Sequence, residues 1–174
     1  MALRFLSILG LTLLILSCKQ TEEKTVTETE EIPVTEKISE TDISKMNYTE
    51  YVLDPKTEAT IEEWLKYHEF DAVVENVKQG DLSYFHDNDR NNIIRNFFIA
   101  LKKAIPETVN SSAVLARILV LETKTWKLES LSNLSTTTED ELNQTIKEFL
   151  IAFSNLNLQM NKKLEKDSQN IEKP

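Results

Sequence analysis

Two histidines, and the acids beside the second one, are the residues best suited to hold a metal ion or a polar ligand. Imidazole nitrogens bind zinc and other transition metals, and carboxylate oxygens bind calcium. No second histidine or glutamate lies at helical ligand spacing from His68, so a site there needs ligands from other helices. Its ordinary interpretation is a half-buried histidine on a helix face. The candidate ligand or metal contacts are His68, His86, Asp87 and Asp89.

The polar run from Asp87 imitates the start of a calcium-binding loop. Asp87, Asp89 and Asn91 have the alternate spacing of the first three ligand positions. The position that needs glycine holds Asn92, however, and the position of the bidentate glutamate holds Phe98. We therefore interpret the run as a solvated loop, with Asp89 as the N-cap of the next helix.

Composition excludes several other kinds of chemistry. The chain has one cysteine, Cys18, and two glycines, so it has no disulfide pair, no glycine-rich phosphate loop and no dinucleotide fingerprint. Haem ligation by a histidine and Met160 has no Cys-x-x-Cys-His motif to support it, and methionine is a common core filler. No local motif joins a serine, a histidine and an acid. We expect no enzyme activity and no cofactor.

The first 18 residues resemble the signal of bacterial lipoproteins. Arg4 precedes an apolar run from Phe5 to Leu16, which is shorter than the about 20 residues that a membrane-spanning helix needs. The run ends in Ile15-Leu16-Ser17-Cys18, which resembles the lipobox. This resemblance implies that residues 1–17 are removed, that lipid is attached to Cys18, and that the new amino terminus is acylated. Two or more acyl chains make a durable anchor in a bilayer.

The residues after the cysteine bear on location. Lys19 stands where an aspartate would resemble an inner-membrane retention signal. The stretch from Cys18 to Glu23 is similar to the Lys/Gln-plus-acid tag of surface lipoproteins from Bacteroidota. These resemblances imply an outer-membrane lipoprotein that faces the periplasm or the cell surface.

The charge of the chain limits its partners. The net charge is −9, and removal of residues 1–17 takes away one cation, Arg4, and makes it −10. Nucleic acids and anionic lipid faces are bound by basic clusters, and the sequence has no run of Lys or Arg. We expect no nucleic-acid partner, and we expect contact with the bilayer through the acylated cysteine.

Residues 18–56 have the composition of a disordered, lipid-anchored stalk. Residues 19–56 contain ten acids, five lysines and seven threonines, and their apolar residues are isolated. Such a segment cannot bury enough surface to offset the entropy of folding, so its physical role would be a tether. The alternative is that an aromatic and apolar cluster at residues 48–53 docks on the following domain as a short strand or latch.

Residues 57–166 have helical periodicity, which predicts an all-α, up-down bundle of four helices, followed by a flexible tail at 167–174. The first helix would start at a capping box, Thr60 with Glu63, and end at Gly80. A break near His68 would make the number of helices five. The second would run from Asp89 to Pro106, which stops it.

The third and fourth helices carry the strongest apolar patterns. Ser111 or Ser112 starts the third, whose residues 114–121 are apolar nearly all round, so we expect it to be the most buried element. Thr138 and Glu141 form a second capping box, and the apolar seam behind it runs to Met160 at steps of three and four residues.

Two hypotheses for function follow. The first is a membrane-tethered, non-enzymatic module of the cell envelope that binds another molecule, an envelope protein for example. Its contact surface would be the groove beside residues 114–121, or the end of the domain near residues 84–86. The second is a bundle that binds a metal or a small ligand. Arg117, Glu122 and Glu129 either line a pocket for a polar ligand or form a hydrated stripe.

Overall fold

The structure is a computed structural model that describes residues 38–86 and 90–169, all of which belong to one compact unit. The prediction of an all-α bundle is confirmed, since this part of the chain contains helices and no strand. A 3₁₀ turn at Ser83–Phe85 buries Leu82 and Phe85. The helices are α1 (Glu40–Ser44), α2 (Pro55–Thr60), α3 (Leu65–Lys78), α4 (Arg90–Lys103), α5 (Ser112–Ser132) and α6 (Glu139–Ser168).

The four long helices, α3 to α6, pack as antiparallel neighbours. Near its start α3 contacts the later part of α6, where the Tyr67 hydroxyl donates to Asn157, and one turn further on Phe70 contacts Phe153 and Phe149. Between α3 and α4, the indole N–H of Trp64 donates to the carbonyl of Leu101 at 3.2 Å. These contacts confirm the up-down order.

Most of the core is built around α6. Twelve of its residues are buried, more than in any other described helix, because it packs against α2, α3, α5 and the segment before α2. The expectation that α5 is the most buried element is wrong. One face of α5 enters the core through Ile118 and Leu121, but Leu115, Leu119 and Val120 are exposed. A helix that is apolar on every face is buried only if the fold places other elements on all of its sides.

Aromatic side chains fill the centre of the bundle. The ring of Phe70 on α3 lies 5.3 Å from Phe97 and 5.4 Å from Phe98, both on α4. It also lies 5.8 Å from Phe149 on α6, and Phe85 meets that ring edge-on at 6.0 Å. Such tilted and edge-on pairs add stability beyond that of the area they bury.

The predicted start of the first helix is wrong. Thr60 is not a cap but the last residue of α2, and its hydroxyl donates to the carbonyl of Lys56. The actual cap is Asp54, whose carboxylate accepts from the backbone N–H of Thr57 at 2.7 Å, with Pro55 at the first helical position. The chain then turns at residues 61–64, so the expected break precedes His68 by several residues.

Gly80 ends α3, as the sequence predicts. Its φ is +85°, and the N–H of Asp81 donates to the carbonyl of Asn76 while that of Gly80 donates to Val77. These two bonds form a Schellman motif, which needs a left-handed residue after the helix. A Cβ atom at Gly80 would also lie 3.0 Å from the backbone oxygen of Ile38. The glycine therefore also allows the N-terminal segment to approach the end of α3.

Residues 38–54, here called the strap, are folded against the bundle. Ile38 and Ile43 are buried, and they flank a helix start at which the Asp42 carboxylate accepts from the N–H and hydroxyl of Ser39. The predicted stalk is therefore corrected, because residues 38–56 are not disordered. The alternative of a docked latch at residues 48–53 is confirmed, although it forms no strand. The rest of the predicted stalk, the signal peptide and Cys18 lie outside the described residues.

The caps of the last two helices are as predicted. Ser111 caps α5, with its hydroxyl accepting from the N–H of Val114 at 3.3 Å. At the start of α6, Thr138 and Glu141 form the reciprocal bonds of a capping box. α6 continues to Ser168, so residues 167 and 168, predicted as tail, are helical. Residues 170–174 lie outside the described part of the chain.

Candidate functional site

A row of polar residues on α6 holds the strap in place. Ser154, Asn157 and Asn161 are spaced by three and four residues and so share one face of the helix. Ser154 accepts from the N–H of Tyr51 at 2.6 Å and donates to the carbonyl of Thr49 at 3.1 Å. This polar row therefore hydrogen-bonds to the backbone of an extended segment and not to its side chains.

Both asparagines of the row make two bonds each. Asn157 donates to the carbonyl of Tyr51 at 3.2 Å and accepts from the Tyr67 hydroxyl at 2.8 Å. Asn161 donates to the carbonyl of Val52 at 2.8 Å and accepts from the N–H of Asp54 at 3.1 Å. The amide side chains thus satisfy strap groups that no regular secondary structure satisfies.

A cleft of about 300 Å³ lies between the strap, α3 and α6. Tyr67 and Phe153 stack beside it with ring centroids 5.7 Å apart. Lys78 joins its two sides, since its ammonium group forms ion pairs with Glu75 on α3 and Glu50 on the strap. Partial burial lowers the pKa of Lys78, but the hydrogen bonds to these carboxylates outweigh it and raise the pKa above its usual value. Lys78 therefore stays charged and fastens the strap to α3.

Burial and crowding affect two other groups at this cleft. Partial burial, followed by repulsion from Glu75, raises the pKa of Asp71. Burial also raises the pKa of the Tyr67 hydroxyl, which remains a neutral hydrogen-bond donor to Asn157. The chemistry of the cleft is therefore that of fixed charges and hydrogen bonds, with no nucleophile beside a general base.

Of the four predicted ligand residues, the structure describes His68 and His86, and these two do not line the same cleft. His68 lines the cleft, but its Nε2 lies 3.2 Å from the carbonyl oxygen of Ile61 and 3.1 Å from that of Glu62, where an N–H donates to backbone. His86 is exposed after the 3₁₀ turn and does not line this cleft. Asp87 and Asp89 lie outside the described residues. Within 38–86 and 90–169, no group of three or more His, Cys, Asp or Glu side chains is placed to hold a metal ion.

An exposed apolar surface lies on the two middle helices of the bundle. Leu115, Leu119 and Val120 of α5 are 38%, 59% and 42% exposed, and Ile99 of α4 is 54% exposed. Leu115 and Leu119 are spaced from Glu122 by seven and three residues, so the three share one stripe of α5. Glu122 pairs with Lys102 at 2.8 Å, which turns this stripe toward α4. Ile99 lies on the Lys102 side of α4, three residues earlier.

We call this surface the α4–α5 face, and its exposed residues include cations as well as apolar groups. Arg95 and Lys103 of α4 are exposed, and no described acid forms an ion pair with either of them. Arg117 of α5 is also exposed, but it lies seven residues before Lys124, whose ion pair with Glu148 faces α6, so Arg117 lies on the α6 side of α5 and not on this face. The face is defined by Arg95, Ile99, Lys103, Leu115, Leu119 and Val120.

This surface corresponds to the groove predicted beside residues 114–121. At the other predicted surface, residues 84–86, Phe85 is fully buried. Of the charges that flank the apolar stretch, Arg117 is exposed and Glu122 is paired with Lys102. The residues that sequence reasoning missed are those of the polar row on α6. Their signal was present, because Ser154, Asn157 and Asn161 repeat the three- and four-residue spacing of the apolar seam, each one residue after a seam position.

Comparisons with protein-family models, with curated proteins and with solved structures found no match to this chain. Across the described residues, none of the helices combines the length and the apolar character needed to cross a membrane.

Proposed function

We propose that this chain is a non-enzymatic lipoprotein of the outer membrane that faces the periplasm or the cell surface. An acylated Cys18 tethers it to the membrane, and the α4–α5 face binds another molecule of the envelope. The observation that carries the proposal is the exposed apolar stripe of α5. The sequence before the fold supports the tether, because Ile15-Leu16-Ser17-Cys18 resembles the lipobox.

The physical argument starts from the two sides of the domain. Where the strap crosses α3 and α6, the chain covers its own core and satisfies its own polar groups. On the α4–α5 face, four aliphatic side chains stay in water, and contiguous exposed apolar groups mark sites of interaction. A tether raises the effective concentration of a partner in the same membrane, so a contact of modest area suffices.

The tether is tested by changing the lipid-bearing residue. In the wild type we expect the protein in the membrane fraction, with the mass of a chain that starts at Cys18 and carries acyl groups. In Cys18→Ala we expect loss of the acyl mass and failure of signal removal at this site. An unmodified thiol on Cys18 of the wild type would refute the tether.

The contact surface is tested by crosslinking in cells. A photoreactive residue in place of Leu119 should give adducts with another envelope component. The matched control is the same residue in place of Leu134, which is 50% exposed but lies outside the α4–α5 face. Equal adducts from both positions, or none from either, would refute the assignment of this face.

Binding of a small ligand by the bundle is the second candidate, and the cleft of about 300 Å³ beside His68 is the observation in its favour. A ligand there would displace water from between Lys78, Asp71 and Tyr67. Added zinc or calcium should then raise the melting temperature of the protein, and His68→Ala should abolish the rise. A melting temperature that does not respond to either ion would remove the metal version of this candidate.

A further inference from the structure

The charge of the protein is unevenly distributed along the fold. Residues 90–121, which comprise α4, the following loop and the first half of α5, contain five Lys and Arg and one Glu, a net charge of +4. The chain as a whole has a net charge of −9. This cationic segment coincides with the helices that expose Ile99, Leu115, Leu119 and Val120.

Two exposed cations flank Ile99 on α4. Arg95 precedes Ile99 by one helical turn, and Lys103 follows it by one turn. Glu122, the nearest acid along α5, is paired with Lys102 and so leaves the other cations uncompensated. Most acids of the described chain lie on other elements, and at physiological ionic strength charges more than about 8 Å away are largely screened.

We propose that the α4–α5 face docks on an anionic lipid surface, with Ile99, Leu115, Leu119 and Val120 entering the headgroup region and Arg95 and Lys103 binding anionic headgroups. Apolar groups flanked by Lys and Arg are the combination that binds membrane interfaces. Each cation near an anionic membrane contributes about 1 kcal/mol, a factor of about five in binding. The inference rests on the proposed function for the tether, and it names what the face contacts.

The length of chain before the fold permits this contact. Nineteen residues separate Cys18 from Ile38, and a chain of that length spans at most about 65 Å at 3.3–3.6 Å per residue. The longest helix, α6, has 30 residues and is about 45 Å long at 1.5 Å per residue. A domain held by such a segment can therefore turn any of its faces to the bilayer.

A lipid surface suits this face better than a protein partner does. Four side chains that are each about half exposed offer far less than the about 800 Å² per partner of a standard protein interface. A domain that is already tethered needs little additional free energy to lie on the bilayer. The overall negative charge does not oppose this docking, because the charges that meet the headgroups are those of the face.

The test uses the mature chain, residues 18–174, with Cys18→Ser so that it carries no lipid. Sedimentation measures its binding to vesicles of equal parts phosphatidylcholine and phosphatidylglycerol, and to phosphatidylcholine alone. We expect binding only to the anionic vesicles, weakened by added salt. The combined variant Arg95→Gln, Lys103→Gln should bind at least tenfold more weakly, and Ile99→Ser with Leu119→Ser about tenfold more weakly.

Matched controls separate this face from general charge and hydrophobicity. Lys56→Gln with Lys166→Gln removes two exposed cations elsewhere, and Leu65→Ser with Leu134→Ser removes two equally exposed leucines. Both controls should bind as the parent does, and circular dichroism should show all variants folded. Equal binding to neutral vesicles, equal weakening by the controls, or no binding to anionic vesicles would overturn the inference.

The tether and the docking face can fail separately. If Cys18 is unmodified in cells while the unlipidated chain binds anionic vesicles, the tether is refuted and the docking face is supported. If Cys18 is acylated but the vesicle binding is absent, only the docking face is refuted. Adducts of position 119 in cells that contain protein and no lipid would likewise overturn it in favour of a protein partner.

Discussion

The strap side and the α4–α5 face of this domain differ in whether the chain covers its own surface. On the strap side, residues 49–54 lie along α6, and three polar side chains of α6 bond to their backbone. On the α4–α5 face, no described segment covers the exposed stripe of α5, although its residues are as apolar as those of a core. The first surface is completed by the chain itself, and the second stays exposed, which is why we propose it as the contact surface.

The two surfaces also differ in charge. The strap side is acidic, because Glu50 and Glu75 share one cation, Lys78, and Asp71 lines the same cleft. The α4–α5 face has exposed cations and aliphatic groups. The net charge of the chain, −9, therefore does not describe each of its surfaces.

The largest effect is expected for Asn157→Ala, which removes the middle residue of the polar row. Asn157 is 6% exposed, and its loss leaves the buried Tyr67 hydroxyl and the carbonyl of Tyr51 without partners. Each such group costs about 1–3 kcal/mol, so we expect the free energy of unfolding to fall by about 3 kcal/mol in urea titrations. Asn161→Ala, at the more exposed end of the row, should cost about 1 kcal/mol. Equal and small losses in both would show that the strap is not held by this row.

The next effect is expected for Gly80→Ala. The φ of +85° disfavours any side chain there, and the new Cβ would lie 3.0 Å from the Ile38 oxygen and 3.3 Å from the Glu40 nitrogen. We expect a loss of about 2 kcal/mol, with faster hydrogen exchange at Ile43, because the strap must move away. Gln79→Ala, at the preceding exposed position, is the control. Protection of Ile43 that is unchanged in Gly80→Ala would mean that this close approach is not needed for docking.

These two positions show how far the sequence could predict the structure. Gly80 was predictable, because a lone glycine after an apolar periodic stretch marks a helix end. The four long helices were also predictable from the spacing of their apolar residues. The strap was not predictable, because the 38 residues from 19 to 56 are on average rich in Thr and Glu. That average composition masks the local helix-start signal of Ser39, Asp42 and the two isoleucines that flank them. The exposure of α5 depends on which neighbours the fold provides, and no local pattern states that.

A smaller, pH-dependent effect is expected at Glu148, on α6. Hydrogen bonds from Lys127 and Lys124 of α5 lower the pKa of Glu148 to about 2, from 4.5. Because the folded pKa is the lower one, this stabilisation is present above pH 4.5 and is lost as the pH falls toward 2. Glu148→Gln should cost about 1 kcal/mol at pH 7, after allowance for solvent screening, and much less at pH 2. Thermal unfolding measures this, with Glu165→Gln, a change at an exposed glutamate of α6, as the matched control.

The acidic strap side should respond in the opposite sense. Burial and Glu75 raise the pKa of Asp71, so its ionised form destabilises the fold as the pH rises above the unfolded value of 3.8. Asp71→Asn should therefore raise the melting temperature at pH 7, where the free energy of unfolding increases by less than about 1 kcal/mol. At pH 3 it should have no effect. A loss of stability at pH 7 would show that the carboxylate makes a favourable contact at the cleft, and the contrast with Glu148 would fail.

The smallest effect on stability is expected for Leu119→Ser on the α4–α5 face. The side chain is 59% exposed, and the adjacent Ile118 is fully buried. Substitutions at exposed positions stay within about 0.5 kcal/mol, whereas deletion of a buried aliphatic group costs about 2–5 kcal/mol. Leu119→Ser should thus leave the urea midpoint unchanged while Ile118→Ser lowers it strongly. A large loss in Leu119→Ser would mean that the stripe is covered by the protein's own chain. The α4–α5 face would then be covered by the chain, as the strap side is. Its assignment as a contact surface depends on its being uncovered, and that assignment would fail.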